Sequence, residues 1–326
     1  MTTRRLALTG ILILALFAMS RSVEAQQARS YRIGVVLQGG SYSAAIAGLR
    51  DGLRELGFEE GKQFLLHVRD VKGDLKAAEA TARGLEGEKV DLIWALATST
   101  TLAVKRGTKS VPIVFYAGTD PVVVGLVASF RKPGGRLTGV HGQFSDLTAK
   151  RLELLKEMTP RMRRVLALYN PDNPSAQRSA KMAREAARQL KVELVERPIA
   201  SVEELRAALR ALRPGEVDAI AYVADAMVTS QAELVIETAR ARRLPTIFQD
   251  KESVDKGALA SYGESYYMIG RRSAKHVQQV LLGANPGDLP VEQLDRLHFV
   301  INLKTAKALG LTIPQSVLTR ADEIIE

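Results

Sequence analysis

Short apolar, β-rich runs alternate with amphipathic helical stretches along most of this chain, and that alternation restricts the fold more than any other feature. Arg32–Leu37 reads as a buried strand, followed by a polar loop and a helix in which Ile46, Leu49, Leu53 and Leu56 share a face until Gly57 ends it. The cycle repeats with strand Phe64–Arg69 and helix Asp74–Leu85, strand Val90–Leu96 and helix Thr101–Lys105, then strand Val111–Tyr116. Strands separated by helices of this length imply a parallel sheet covered on both sides.

Pro133-Gly134-Gly135 interrupts the series, and a second set follows. It comprises helix Leu147–Met158, strand Val165–Tyr169, helix Ser175–Leu190, strand Val192–Val195, helix Val202–Leu212, strand Ala219–Val223, helix Gln231–Arg240 and strand Thr246–Phe248. Two such sets predict an α/β fold of two doubly wound parallel-sheet lobes rather than one large sheet. The tail breaks the simple succession, with a strand at Ala258–Tyr262, a helix at Ser265–Leu282, a strand at His298–Ile301 and a helix at Leu303–Leu309. The tail helix can return to the first sheet and the last strand can close the second.

The amino terminus carries an export pattern: Arg4 and Arg5, an apolar run from Leu6 to Met19, and small residues up to Ala25. The run is shorter than the roughly 20 apolar residues of a membrane span. Residues 1–25 are therefore expected to be a signal peptide cleaved near Ala25, leaving a soluble periplasmic protein. Cysteine is absent, so the fold relies on packing rather than disulfides, and no thiol is available for a lipid anchor. The formal charge of +10 invites a nucleic-acid reading, which export argues against. Basic residues are mostly interleaved with acids, except for a stripe of Arg178, Lys181, Arg184, Arg188 and Lys191 at helical spacing. That stripe is either a solvated face or an electrostatic contact with a membrane partner.

In open parallel sheets, ligands collect beyond the carboxyl ends of the strands. The loops expected there are polar: Gln38-Gly39-Gly40-Ser41-Tyr42, Thr98-Ser99-Thr100-Thr101 and Tyr116 to Thr119-Asp120 in the first set. In the second they are Asn170 to Ser175, Asp225 with Met227, and Gln249-Asp250. The hydroxyl run Thr98–Thr101 would combine side-chain oxygens, free backbone N–H groups and the positive end of a helix dipole, a combination suited to a carboxylate. Asp120 and Asp225 could meet a ligand ammonium, or could be turn and N-cap residues. Tyr42, Tyr116, Tyr222, Tyr262 and Tyr266 are candidate walls for a flat ligand, Tyr222 being the one better suited to the core. The four histidines match no metal-ligand spacing, and no phosphate-cradling or nucleophile-elbow motif is present, so neither metal, cofactor nor catalytic centre is expected.

Several stretches together carry a family resemblance: Gly48-Leu-Arg-Asp-Gly-Leu-Arg-Glu-Leu-Gly57, Val111-Pro-Ile-Val-Phe115 with Thr119-Asp120-Pro121, and Lys132-Pro-Gly-Gly135 with Leu137-Thr-Gly139. Ala258–Gly263 and Val300–Pro314 complete the set. The chain resembles the substrate-binding proteins of bacterial ABC importers, in the branch that includes the tryptophan- and tyrosine-binding proteins. The resemblance implies a type I periplasmic-binding fold, two lobes joined by three crossings with the ligand between them. It places residues 26–142 plus 262–288 in lobe 1 and 143–261 plus 289–326 in lobe 2. It also implies a non-enzymatic monomer that delivers a small organic, amino-acid-like ligand to a permease. A sensing subunit on the same fold, or an exported hydrolase using Asp120, Asp225 or His141, are the alternatives. By resemblance, Thr98–Thr101 faces a ligand carboxylate and Asp225 an amine. Amino-acid-binding members usually have Asn and Thr after that aspartate, where this chain has Ala226 and Met227, and favour His where Tyr42 stands. Met227 implies a more apolar ligand edge.

Overall fold

A computed structural model describes residues 30–326; the predicted leader lies outside the described residues. The first set forms β1 (Tyr31–Leu37), α1 (Ser43–Glu55), β2 (Phe64–Asp70), α2 (Leu75–Gly87), β3 (Leu92–Leu96), α3 (Thr98–Gly107), β4 (Ile113–Ala117) and β5 (Leu137–His141). The second forms α4 (Thr148–Met158), β6 (Arg164–Tyr169), α5 (Pro174–Gln189), β7 (Glu193–Pro198), α6 (Val202–Arg210), β8 (Ala219–Ala221), α7 (Ala226–Ser230), α8 (Ala232–Ala241), β9 (Thr246–Phe248), α9 (Lys251–Asp255) and β10 (Ala260–Gly263). The tail supplies α10 (Tyr266–Leu281), β11 (Glu292–Gln293), β12 (His298–Asn302), α11 (Leu303–Leu309), α12 (Gln315–Leu318) and β13 (Glu323–Ile325).

Two sheets result, in the orders β11-β5-β4-β3-β1-β2 and β13-β12-β10-β9-β8-β6-β7. All pairings are parallel except β10 with β12. The inner strands β1, β3 and β4 are apolar runs buried along almost their whole length, as strands covered on both faces must be. The edge strand β2 alternates and leaves Leu65 and Val68 exposed. The chain passes between the sheets between β5 and α4, between β10 and α10, and between β11 and β12.

Some local readings need correction. The sequence reading returned the chain to the first lobe at 262 and ended that segment at 288. Tyr262 and Gly263 instead pair with β12 in the second sheet, and Glu292-Gln293 pair with β5 in the first. On α1 the buried face is Ala45, Gly48, Leu49, Gly52 and Leu53, while Leu56 is 40% exposed and Ile46 half-buried. Small residues win there because α10 crosses α1 at close range. A Cβ on Gly48 would lie 1.9 Å from the Tyr267 carbonyl oxygen, and one on Gly270 1.9 Å from that of Ala45. The basic stripe on α5 is partly neutralised, with Arg178 on Asp146 and Arg184 on Glu196. The opposite face of α5 is Ser175, Ala176, Ser179, Ala180, Ala183, Ala186 and Ala187, all buried.

Candidate functional site

The carboxyl ends of β1, β3 and β4 face those of β6, β8 and β9 across a narrow cleft of about 20 Å³. That space holds about one water, so a solute can enter only if the lobes part. Tyr42, Tyr116, Phe144 and Tyr222 form much of its wall, and Thr98, Ser99, Asn173, Ser175, Asp225 and Gln249 supply the polar groups. Gly118 and the small residues Ala97, Ala224 and Ala226 leave room between them. Tyr266, fully buried, stacks at a tilt on Tyr42 with ring centroids 4.6 Å apart. Burial pushes the Tyr42 hydroxyl well above its usual range and does the same for Tyr116 and Tyr222, so all three stay protonated donors.

The hydroxyl loop is built as a recess for an acceptor. Ala97 precedes α3 with φ 90 and ψ 149, a region nearly reserved for glycine and costing about 1–3 kcal/mol. Thr101 N–H bonds back to the Ala97 carbonyl, leaving the N–H groups of Thr98, Ser99 and Thr100 without helical acceptors. The Thr98 Oγ1 atom is buried and has no partner. Beneath the loop, Gln38 Nε2 donates to Thr100 Oγ1 at 2.8 Å and to Ser99 Oγ at 3.4 Å, fixing both hydroxyls.

Asp225 lines the cleft, but its carboxylate is occupied within its own lobe. Oδ1 accepts from the N–H groups of Met227 and Val228, and Oδ2 from Asn170 N–H and Asn173 Nδ2, at 2.9–3.1 Å. It is the N-cap of α7. Burial raises its pKa, against the pull of those four donors. Gln249 donates through Nε2 to the Tyr266 hydroxyl and holds an unpartnered Oε1, fully buried.

Of the residues singled out from sequence, Tyr42, Thr98, Ser99, Tyr116, Ser175 and Asp225 meet in the cleft. Gln38 and Thr100 stand behind it as supports. Thr119 donates to Ser175 Oγ at 2.7 Å and shares a 2.8 Å bond with Ser145, joining the lobes beside it. Gln38, Gly39 and Asn170 border a wider outer groove between Lys72–Lys76 and Ser201–Arg206. Ser41 is buried nearby, its Oγ unpartnered. Four others do not line the cleft. Asp120 caps the turn that follows it, accepting from Val122 and Val123 N–H. Asp250 caps α9 through Ser253. Met227 lies in the core, where it approaches Gly73. Tyr262 packs edge-on against Phe299 in the second sheet. Nor does His141 line it; its ring rests on Phe130.

Sequence reasoning missed Phe144, Asn173 and Gln249 as single residues, although it marked the loops containing the last two. It also missed Arg151, fully buried behind the walls, 5.7 Å from the Phe144 ring centre and 5.8 Å from that of Tyr222. Its Nε and Nη1 bond the carbonyls of Tyr262 and Phe144, Nη2 is unpartnered, and burial lowers its pKa to about 10. Among the described residues, no three His, Asp or Glu side chains are placed to hold a metal ion. No described helix is long and apolar enough to cross a membrane.

Two α/β lobes joined by three crossings, with an aromatic and hydroxyl-rich cleft at the facing strand ends, define a two-lobed solute-binding protein. The family model described as ABC transporter substrate binding protein matches residues 31–325, and the chain belongs to that family. It is 29% identical over 292 residues to the tyrosine-binding protein of Clostridioides difficile, covering 90% of this chain and 84% of that one. A conserved domain protein from Vibrio cholerae matches at 32% identity and TM-score 0.82, over 91% of this chain and all of the other. An ABC domain in complex with L-Trp from Streptococcus pneumoniae matches at 27% and 0.81 over the same shares. A ligand-free, open substrate-binding protein with adhesive properties from Clostridium difficile reaches only 0.59 at 26%, covering 91% of this chain and 99% of that one.

Proposed function

We propose that this protein is exported to the periplasm, as a monomer, and closes its lobes on a small carboxylated organic molecule with an aromatic body, which it delivers to the permease of an ABC importer. The observation that carries this reading is the recess at Thr98–Thr100, where free N–H groups and an unpartnered buried hydroxyl meet a cleft with four aromatic walls. A carboxylate there would accept from the helix terminus and Thr98, while Tyr42, Tyr116, Phe144 and Tyr222 enclose the body. The ligands named for the relatives, L-Trp and tyrosine, support a solute of that size and character. Ligand drives closure only through contacts better made in the closed state. The bonds that span the lobes, Thr119 to Ser175 and Gln249 to Tyr266, are the protein's own contribution to that state.

Native mass spectrometry of the purified protein, followed by calorimetry on protein stripped by unfolding and refolding, tests this. Saturable one-to-one binding of a carboxylate without turnover is expected, with Thr98→Val weakening it about tenfold or more. Binding unaffected by Thr98→Val, or product formation from the bound solute, overturns it.

A further inference from the structure

A solute reaches the cleft only when the lobes part, so the surfaces that meet on closing govern binding as much as the cleft walls do. Gly40 and Gly73 of lobe 1 meet lobe 2 with bare backbone. Gly40, φ 59, opens the short turn Gly40–Tyr42 at the carboxyl end of β1, and Gly73, φ 88, lies in the β2–α2 loop. Both face α7 of the other lobe. A Cβ on Gly40 would lie 2.6 Å from the Thr229 carbonyl oxygen, 2.8 Å from that of Ser230 and 2.9 Å from Ser230 Cα. One on Gly73 would lie 3.0 Å from Ser230 Oγ and 3.2 Å from both Met227 Cγ and Val202 Cγ2.

The two contacts differ in kind. The atoms facing Gly73 belong to side chains, which can yield by rotation, whereas those facing Gly40 are backbone. Nor is α7 free to shift. Asp225 caps its start by accepting from Met227 and Val228 N–H. The Thr229 hydroxyl donates to the Asp225 carbonyl at 2.9 Å and shares a 2.7 Å bond with Tyr222, and Ser230 Oγ donates to the Met227 carbonyl at 2.6 Å. All of these partners lie in the second lobe, so the helix is held whether or not the lobes touch. Its first residues are also cleft residues: Asp225 and Ala226 line the cleft, as does Tyr42 two positions beyond Gly40. The cleft therefore shuts where α7 lands on Gly40.

Gly48 and Gly270 pack within lobe 1, so a side chain on either penalises open and closed forms alike. Beyond its local backbone strain, a side chain at Gly40 meets lobe 2 and penalises the closed form. Apparent affinity for a solute falls in proportion to the fraction of protein able to close.

We propose that Gly40, seconded by Gly73, is a positioning residue for closure: lobe 1 leaves its backbone bare there so that α7 can land and shut the cleft. This requires the lobes to part for entry and holds whatever the solute is, so it goes beyond the carboxylate reading without resting on it.

Disulfide trapping of stripped, solute-free protein tests it. The chain has no cysteine. Thr119→Cys with Ser175→Cys, at hydroxyls 2.7 Å apart across the lobes, supplies a pair that can join when the lobes are shut. Glutathione disulfide serves as oxidant, and gel mobility follows the rate. Adding Gly40→Ala should slow trapping by about tenfold or more, and Gly73→Ala by a smaller factor. Gly40→Asn keeps the Cβ but tolerates positive φ better, so it preserves the turn and should slow trapping as much. Gly57→Ala is the control, since Gly57 has φ 82 and nothing within 4 Å of its Cβ position; it carries comparable strain without a closure partner and should trap at the parent rate. Trapping at the parent rate in a folded Gly40→Asn variant overturns the proposal, and so does equal slowing by Gly57→Ala. Either result leaves the carboxylate reading standing, because no solute takes part.

Discussion

Asp225 illustrates how a structural role and a ligand role can share one position. Its place after an apolar run is equally that of an N-cap and of a cleft carboxylate, and the structure makes it the cap of α7 at the cleft wall. Asp225→Ala leaves four donors short of an acceptor and should cost about 2–3 kcal/mol of ligand-free stability. Urea unfolding of stripped protein measures it, and an unchanged midpoint would assign the carboxylate to the ligand instead. Glu86 makes a similar point on the surface. Although desolvation works against it, bonds from Lys109, Ser110 and Val111 N–H and the Ser110 hydroxyl lower its pKa from 4.5 to about 2. Its stabilisation is complete above the ordinary value and is lost as pH falls through the folded one. Glu86→Gln should therefore cost about 1–2 kcal/mol at neutral pH after solvent screening, the gap closing between pH 4.5 and 2 in acid titrations of stability. At this scale Thr98 was legible because one hydroxyl suffices to cap a helix and four stand there. Phe144 and Gln249 carried no such surplus, and only folding aims them inward.

Elements were legible where their period was long and clean. The buried strands and the helices α2, α5 and α10 follow from periodicity alone, with boundaries shifted by a few residues. The short pieces were not. The sequence reading assigns β5, carrying Gly139, to no element, and α7 and α9 hold five residues each, too few to show a period. The helix α3 begins at Thr98, three residues before the periodic signal, because Ala97 takes a strained turn. Pattern also misplaced the inner face of α1, which is chosen by the partner helix. Gly48→Ala gains helix propensity of about 1 kcal/mol, yet its Cβ would collide with the backbone of Tyr267, and repair requires two helices to separate. A net loss of about 1–3 kcal/mol is expected in denaturant unfolding, and a neutral or stabilising result would mean that the α1–α10 crossing is looser than described.

At the scale of the molecule, the crossings decide how the lobes meet. Glu264, between β10 and α10, is pressed against Gly142 of the first crossing, where a Cβ would lie 2.1 Å from its Oε2. Burial raises its pKa to about 8, outweighing Arg151, the Gln143 N–H and Tyr116, which lower it, while Asp295 from the third crossing adds to the rise. An acid whose folded pKa lies above its unfolded value stabilises the fold in its protonated form. That contribution is full below about 4.5 and is lost as pH rises through about 8. Wild-type stability should therefore fall relative to Glu264→Gln between pH 5 and 8, by thermal unfolding, and parallel curves would exclude proton binding at the hinge. Small-angle scattering should show stripped protein larger than ligand-bound protein. Equal radii would mean that the lobes close without a guest.

Alternating period and polar loops at strand ends determined, from sequence alone, two parallel α/β lobes and the loops that could face each other. Those properties are local, set by which side chains can be buried on a strand or a helix face. Which loop residues reach the cleft, that both carboxylate oxygens of Asp225 are held by its own lobe, and that Arg151 is buried behind the walls were decided by tertiary structure. Hydrogen bonds and charges between residues 50 or 100 positions apart depend on distances that no local pattern encodes.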